Sequence, residues 1–206
     1  MNFRTALTAI ALSVSLAGCV GVGGGAPGLF DNPYGARRDG GYALPAIPIE
    51  KIDKKWRRQT VDYVTKEAPG SIVVDTGARH LYFVMPGGKA VRYGIGVGRE
   101  GFTWKGRARI AIKREWPMWT PPPAMIQRKP ELAKWAGGMP PGIDNPLGAR
   151  ALYLFNKGGD SGYRLHGTPE WRSIGKAMSS GCIRMLNQDV IDLYNRAEVG
   201  AKVVVL

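Results

Sequence analysis

Apolar and polar residues alternate over much of the chain from Pro69 onward, the pattern of half-buried β-strands. Two β-branched and aromatic runs, residues 71–75 and 80–84, flank Thr76-Gly77-Ala78-Arg79, which predicts a β-hairpin. Further strands are predicted at residues 90–98, 107–113, 151–155 and 163–166. The proline- and tryptophan-rich residues 116–123 predict a loop.

Helical periodicity is clear only near the C-terminus, where apolar residues recur at positions 190, 191, 193, 194 and 197. Asn187 is predicted to cap this helix, with Asp189 in its first turn. Gly200 is predicted to end it, before a last strand at residues 201–206. Since about 140 residues suffice for one hydrophobic core, we predict a mainly β fold. It would be a β-sandwich or barrel with one main helix near the C-terminus.

Residues 1–18 are typical of a signal peptide: Arg4 supplies one positive charge, and a short apolar run precedes small residues. The ending Leu16-Ala17-Gly18-Cys19 resembles the lipobox of bacterial lipoproteins, in which the cysteine becomes the lipid-bearing first residue. The alternative is an ordinary secretory signal with an incidental cysteine. Val20 stands where an aspartate often retains lipoproteins at the inner membrane, so the resemblance favours a periplasmic protein anchored to the outer membrane.

The mature chain is predicted to have three parts. Residues 19–49 are rich in glycine and proline and predict a flexible, lipidated tether. Residues 50–68 mix charged and apolar residues and predict a short helix and a first strand, which lead into a single domain at 69–206.

Charge narrows the choice of partners. The chain has 29 lysines and arginines against 16 aspartates and glutamates, a formal net charge of +13. Such a balance favours anionic partners, but an exported protein does not meet nucleic acid. Anionic lipid, lipopolysaccharide and the carboxylate-rich stem peptides of peptidoglycan remain, and simple solubility is the alternative.

The chain has two cysteines and two histidines. Because lipid would consume Cys19, no disulfide partner is expected for Cys182 in the mature chain. A free thiol kept outside the cytoplasm indicates a catalytic role. A catalytic thiol usually needs a nearby imidazole. His166, which precedes a glycine at the end of a predicted strand, is the better candidate, and His80 is interpreted as structural. The alternatives are a buried structural thiol at Cys182 and a structural histidine at 166.

The neighbours of this pair supply the other functions that acyl chemistry needs. Ser180 and Gly181, which precede Cys182, form a predicted tight turn. The N–H groups of this turn could stabilise the oxyanion that develops when the thiol attacks a carbonyl. No acidic residue flanks His166, so the backbone carbonyl of Gly167 is the candidate to orient it. Arg184 could bind a substrate carboxylate, or pair with Asp189 or another neighbouring carboxylate.

His166-Gly167-Thr168 and Ser179-Ser180-Gly181-Cys182-Ile183-Arg184-Met185, with the interval between them, resemble the signature of the L,D-transpeptidase (YkuD-domain) family. The resemblance extends from about Pro69 to Leu206 and includes Trp116-Pro117-Met118-Trp119 and Asn145-Pro146-Leu147-Gly148. Many members carry histidine where this chain has Ser180, serine where it has Gly167, and asparagine where it has Arg184.

The resemblance implies acyl transfer on peptidoglycan without a cofactor or metal. Cys182 would attack the third-residue carbonyl of a tetrapeptide stem, with His166 as proton acceptor and donor, and release D-alanine. The thioester would pass to another stem or to an outer-membrane protein, or to water in an L,D-carboxypeptidase. Carbapenems typically acylate the same cysteine in this family. The other hypotheses are a non-catalytic wall-binding lipoprotein and a papain-like peptidase, whose nucleophile usually precedes the histidine.

Overall fold

The computed structural model describes residues 32–99, 104–179 and 181–206, with only the backbone of Ser179. The predicted signal peptide, the lipid site at Cys19 and the oxyanion role of Ser180 therefore lie outside the described residues. Among the described residues, no helix is long and apolar enough to cross a bilayer.

Strands dominate the fold, which has few helices. The strands are β1 (Arg37–Asp39), β2 (Tyr42–Leu44), β3 (Gln59–Asp62), β4 (Ile72–Asp75), β5 (His80–Met85), β6 (Lys89–Gly94), β7 (Val97–Gly98), β8 (Gly106–Glu115), β9 (Arg150–Asn156), β10 (Gly159–Thr168), β11 (Ala177–Ser179), β12 (Ile183–Leu186) and β13 (Lys202–Val205). The α-helices are α1 (Pro123–Arg128) and α2 (Asn187–Arg196). Short 3-10 helices span Ile49–Lys51, Lys54–Trp56, Pro130–Trp135 and Trp171–Ser173.

Nine strands form one mixed sheet in the order β12-β10-β9-β8-β13-β4-β5-β6-β3. Most neighbours are antiparallel, but β10–β12 and β13–β4 are parallel. A bridge between Gly96, just after β6, and Arg184 in β12 joins regions near the two ends of the sheet, which therefore curls toward a barrel. The mainly β prediction is confirmed. The core contains Leu81, Tyr93, Leu152, Leu165 and Met185, all fully buried.

The main helix lies near the C-terminus as predicted, but both of its predicted ends are wrong. Asn187 is the first helical residue rather than the cap, because its buried side-chain oxygen accepts a hydrogen bond from the N–H of Ala149, 2.9 Å away. The helix ends at Arg196, before Gly200, and the N–H of Ala197 bonds back to Leu193. Gly200 instead adopts a positive φ of 93° in the turn before β13.

The prediction of a flexible tether is wrong for residues 32–49. Tyr34, Leu44 and Ile47 are buried, and β1 and β2 form a hairpin on the surface of the domain. Tyr34 and Ile47 pack with Ile174 and Leu186, while Leu44 packs with Trp116. These side chains are spaced irregularly among glycines and prolines, and each contacts distant parts of the chain, so no periodic pattern marked them.

A long connection between β8 and β9 runs over one face of the sheet. We call residues 116–149 the cleft loop. Its first part is irregular, as predicted for residues 116–123, and α1 begins at Pro123, where a missing N–H costs the helix nothing. Reciprocal backbone hydrogen bonds of 3.0 and 2.7 Å between Trp119 and Met139 close the loop on itself.

Candidate active site

The register of two parallel strands places the candidate residues on one face of the sheet. His166 in β10 lies opposite Arg184 in β12. Side chains alternate along a strand, so Arg164 shares the face of His166, and Cys182, just before β12, shares that of Arg184. The intervening Leu165 and the neighbouring Ile183 and Met185 lie in the core. Alternate residues of these two strands thus point to opposite faces: the apolar side chains enter the core, and the candidate functional side chains face the other side.

Arg164, His166, Cys182 and Arg184 line a cleft of about 400 Å³ between this face and the cleft loop. The other lining residues are Met118, Trp119, Thr120, Pro122, Met125, Pro146, Leu147, Tyr153 and Gly162. The cleft loop therefore supplies a largely apolar wall, and the strands supply two arginines beside the thiol and imidazole.

His166 is only 5% exposed, and its Nδ1 lies 2.6 Å from the carbonyl oxygen of Gly167. A carbonyl can only accept, so Nδ1 carries the proton and Nε2 is left as the acceptor nitrogen. Burial lowers the pKa of His166 to about 4, and the charges of Arg184 and Arg164 add to this, although the bond to Gly167 opposes it. The imidazole is therefore neutral at physiological pH.

Cys182 is half-buried, with its Sγ 4.0 Å from the carbonyl oxygen of Gly162. Burial raises the pKa of the Cys182 thiol above its ordinary value, although a backbone hydrogen bond from Arg164 and two guanidinium charges oppose this. Gly181 is buried and adopts a φ of 117°, a conformation that side chains rarely allow. The chain therefore needs glycine immediately before the thiol.

Both cleft arginines are paired with carboxylates. Arg184 Nη1 lies 2.8 Å from Glu170 Oε2, so its partner is Glu170 rather than Asp189. Arg164 binds Asp160 through two hydrogen bonds of 2.6 and 2.7 Å, and its guanidinium carbon lies 4.2 Å from the centre of the Tyr153 ring. Glu170 and Asp160 are substantially exposed, so a carboxylate ligand could exchange with either.

Several residues of the cleft are not among those predicted from the sequence. Arg164 could have been found, since it stands two positions before His166 in a predicted strand and shares its face. Met118 and Trp119 come from an irregular loop, whose position over the cleft has no signal in the local pattern. His80 lies outside the cleft, where its Nε2 contacts the carbonyl oxygen of Lys55 at 3.0 Å and its ring packs on Trp56.

No group of three or more histidine, cysteine or acidic side chains is placed to hold a metal ion within the described parts of the chain. The polar side chains of the cleft are a thiol, an imidazole and two guanidinium groups, together with the hydroxyl-bearing Thr120 and Tyr153. Together they suit attack on a carbonyl carbon within a molecule that carries carboxylates.

Residues 69–205 match the sequence model of the L,D-transpeptidase catalytic domain, YkuD. The chain belongs to this family, and its catalytic domain is that of an acyltransferase. A putative L,D-transpeptidase from the ATP synthase subunits region of Fuscovulum blasticum is 36% identical over 137 residues, which are 66% of this chain and 68% of that protein. The probable L,D-transpeptidase YcfS of Escherichia coli is also 36% identical over 137 residues, 64% of this chain. That match covers only 42% of YcfS.

A crystal structure from Brucella melitensis, described as a probable carnitine operon oxidoreductase, is 47% identical with a TM-score of 0.52. The similarity covers 75% of this chain and 96% of that one. The structure of an Ldtfm–avibactam carbamoyl enzyme, 18% identical with a TM-score of 0.50, covers 68% of this chain and 49% of its own and shows the shared fold.

Proposed function

We propose that this chain is a peptidoglycan L,D-transpeptidase in which Cys182 is the nucleophile and His166 its general base. The observation that carries the proposal is the hydrogen bond from His166 Nδ1 to the Gly167 carbonyl, inside the cleft that Cys182 lines. This bond fixes the tautomer in which Nε2 can accept the proton of a thiol. A carbonyl thus performs the orienting role that an aspartate performs in a serine protease.

In the acylation step, Cys182 Sγ attacks the carbonyl carbon of the third residue of a tetrapeptide stem, and the thiol proton passes to His166. Backbone N–H groups beside Gly181 stabilise the tetrahedral oxyanion. The C–N bond to the terminal D-alanine then breaks, and the departing nitrogen takes the proton from His166. A thioester and free D-alanine result.

In the second step, an amine attacks the thioester, gives its proton to His166, and displaces the thiolate, which recovers the proton. A stem amine yields a 3→3 cross-link, and an amine of an outer-membrane protein yields a protein fixed to the wall. Water would make the enzyme an L,D-carboxypeptidase. A lipid anchor at Cys19, and with it a site in the periplasm at the outer membrane, belongs to this proposal.

Arg184 and Arg164 bind the carboxylates of the donor stem in this scheme. Each already holds a carboxylate in hydrogen-bond geometry, Glu170 and Asp160 respectively. Because both acidic side chains are substantially exposed, the arginines lose little when a substrate carboxylate replaces them.

The test is turnover of tetrapeptide muropeptides by the purified mature chain, followed by mass spectrometry. We expect D-alanine release and a cross-linked or protein-linked product, and a fall of about a thousandfold or more in Cys182→Ala and His166→Ala. His80→Gln is the matched control, since His80 lies outside the cleft, and it should retain activity.

The other outcomes identify the alternatives. Release of D-alanine without any linked product would make the protein a carboxypeptidase. Binding to sacculi that is unchanged in Cys182→Ala, with no product from the parent chain, would make it a wall-binding module. In the cell, mass spectrometry of sacculi from a deletion strain should show fewer L,D-linkages or protein-bound stems; unchanged sacculi would contradict the enzyme assignment.

A further inference from the structure

The hairpin of β1 and β2 precedes the family domain, yet it holds both ends of the cleft loop. Its turn, Gly40-Gly41, has φ values of 54° and 87°, the two positive angles that a two-residue hairpin turn needs. An isolated two-stranded hairpin has little stability in water. The contacts that the hairpin makes with the domain therefore decide whether it forms.

The carboxylate of Asp39 is the centre of these contacts. Its Oδ2 accepts hydrogen bonds of 2.7 Å from Trp116 Nε1 and of 2.7 Å from Arg150 Nη1, and its Oδ1 accepts one of 2.8 Å from Arg150 Nη2. The side chains of Asp39 and Arg150 are 16% and 6% exposed. A two-point, charge-assisted contact of this kind, largely shielded from water, is stronger and more directional than a surface ion pair.

The hairpin also packs closely on Trp116. The ring of Tyr42 lies 4.2 Å from that of Trp116, and a Cβ on Gly40 would lie 2.6 Å from Trp116 Cδ1. Trp116 has a φ of 41°, an angle that is costly for a bulky residue unless its surroundings hold it. The contacts of Asp39, Gly40 and Tyr42 form part of those surroundings, together with the cluster of Leu44, Ala149 and Ile191.

Trp116 begins the cleft loop, and Arg150 immediately follows its end. The N–H of Trp116 donates to the carbonyl of Ala149 over 2.8 Å, which closes the base of the loop. Asp39 binds Trp116 at the start of the loop and Arg150 just after its end. The loop above it supplies Met118, Trp119 and other walls of the cleft.

The same base contacts the group that orients the imidazole. A Cβ on Gly148 would lie 2.6 Å from the carbonyl carbon of Gly167, so the two backbones touch. Asn187 Oδ1 holds the N–H of the adjacent Ala149. Gly167 in turn accepts the bond from His166 Nδ1. A continuous series of packed groups therefore runs from the hairpin to the catalytic imidazole.

We propose that Asp39 is a positioning residue: by binding Trp116 and Arg150 together, it holds the cleft loop closed over Cys182 and keeps Gly148 packed against Gly167. The N-terminal hairpin then belongs to the working active site, although it lies outside the residues 69–205 that match the family. The kinetic part of this inference rests on the proposed function, whereas the structural part does not.

The test compares Asp39→Asn with Glu67→Gln in the full mature chain. Glu67 is the matched control because it is also a shielded carboxylate, 13% exposed, that contacts two cationic groups, Lys202 and Arg107. It does not line the cleft. Asparagine at position 39 can still accept from Trp116, but it cannot bind Arg150 through two charged contacts.

Hydrogen exchange and thiol alkylation report on the loop without requiring turnover. In Asp39→Asn we expect the amides of Trp116 and Trp119 to exchange about tenfold faster or more, while the amides of β4 and β13 keep their protection. Alkylation of Cys182 by iodoacetamide should accelerate by a similar factor, because the loop no longer covers the thiol. Glu67→Gln should change neither rate.

With tetrapeptide muropeptides, Asp39→Asn should lower kcat/KM by about tenfold to a hundredfold, since small displacements of a site are costly. The rise in KM should exceed the fall in kcat, because the loop forms the substrate's wall. If Asp39→Asn and Glu67→Gln give equal exchange and alkylation rates, the positioning role is wrong. If those rates differ but the parent chain has no turnover, the proposed function fails and the positioning role of Asp39 stands.

Discussion

At the scale of single residues, the pair of His166 and Cys182 differs from a preformed thiolate–imidazolium ion pair. Burial is the largest influence on both groups and favours the neutral form of each, since it lowers the pKa of His166 to about 4 and raises that of Cys182. The resting site therefore holds a thiol and a neutral imidazole. In the proposed mechanism the proton must move as the sulfur attacks, so the bond to Gly167, which leaves Nε2 free to accept that proton, would be essential.

This resting state predicts the pH dependence of thiol reactivity. Cys182 should react with iodoacetamide slowly at pH 6–7, and the rate should rise only with an apparent pKa above the ordinary thiol value of 9.0. His166→Ala should leave this profile nearly unchanged, because a neutral imidazole contributes no charge to the resting thiol. A reactive plateau that begins near pH 5 and disappears in His166→Ala would instead indicate an ion pair.

Turnover should respond differently from alkylation. The imidazole is already deprotonated above about pH 5 when its pKa is near 4, so general-base catalysis is available from there upward. We expect kcat/KM to rise between about pH 3 and pH 5 and to level off through neutrality. Comparison of the two profiles on one preparation shows whether the thiol loses its proton during the attack or has already lost it in the resting site.

At the scale of elements, the short 3-10 helix Lys54–Trp56 fits against β6 because Gly94 lacks a side chain. A Cβ at Gly94 would lie 2.7 Å from the Cα of Trp56, and one at Gly175 would lie 2.6 Å from Trp56 Nε1. The obstacle at Gly94 is main chain, which cannot rotate away. Trp56 in turn packs on His80 in β5. This helix therefore packs against β5, β6 and the distant loop that contains Gly175.

Gly94→Ala should lift this helix from the sheet. We expect a loss of about 2 kcal/mol in the free energy of unfolding by urea, because overpacking against backbone forces a local shift. Gly142→Ala is the control, since a Cβ there meets nothing within 4 Å and the residue has no positive φ. Equal stability of the two variants would mean that residues 54–56 contribute little to the folded state.

The sequence predicts those elements whose signals are local. The β4–β5 hairpin is predictable because alternating runs flank a glycine-containing turn, and the candidate pair because cysteine and histidine are rare in this chain. The strands β11 and β12 escape prediction because they are short and adjoin the glycine and serine residues before Cys182. The docking of residues 32–49 depends on contacts with distant residues, such as Asp39 with Arg150, that no local pattern contains.

At the scale of the whole molecule, a cluster of charged and phenolic groups fastens the N-terminal segment to α2. Arg58 Nη1 lies 2.8 Å from Asp192 Oδ1, and the Arg58 N–H donates to the hydroxyl of Tyr34 over 2.6 Å. Tyr34 donates to Asp189, and Tyr93 from β6 donates to Asp192. Three separate parts of the chain thus meet at two carboxylates, whose ionisation affects the stability of the whole.

The two carboxylates have opposite pKa shifts. Burial raises the pKa of Asp189 from 3.8 to about 7, although Arg58 and the Tyr34 hydroxyl oppose it. Burial acts the same way on Asp192, but its hydrogen bonds with Arg196 and Tyr93 and the charge of Arg58 outweigh it and hold the pKa below 3.8. Folding therefore binds a proton at Asp189 and releases one at Asp192 within different pH windows.

Substitution of each residue by asparagine should reveal these windows. Between about pH 4 and pH 7 the folded parent holds a proton at Asp189 that the unfolded chain has lost, so its stability falls as pH rises. Asp189→Asn has no carboxyl group at this position and does not lose this stability. The difference between its free energy of unfolding and that of the parent should therefore shift in favour of the variant by on the order of 3 kcal/mol from pH 4 to pH 8. Asp192→Asn should do the reverse: it should be less stable than the parent at pH 7, and the gap should close as pH falls below about 4. Urea unfolding of the three chains from pH 3 to pH 8 measures both, and parallel curves for the two variants would contradict the assignment of opposite shifts.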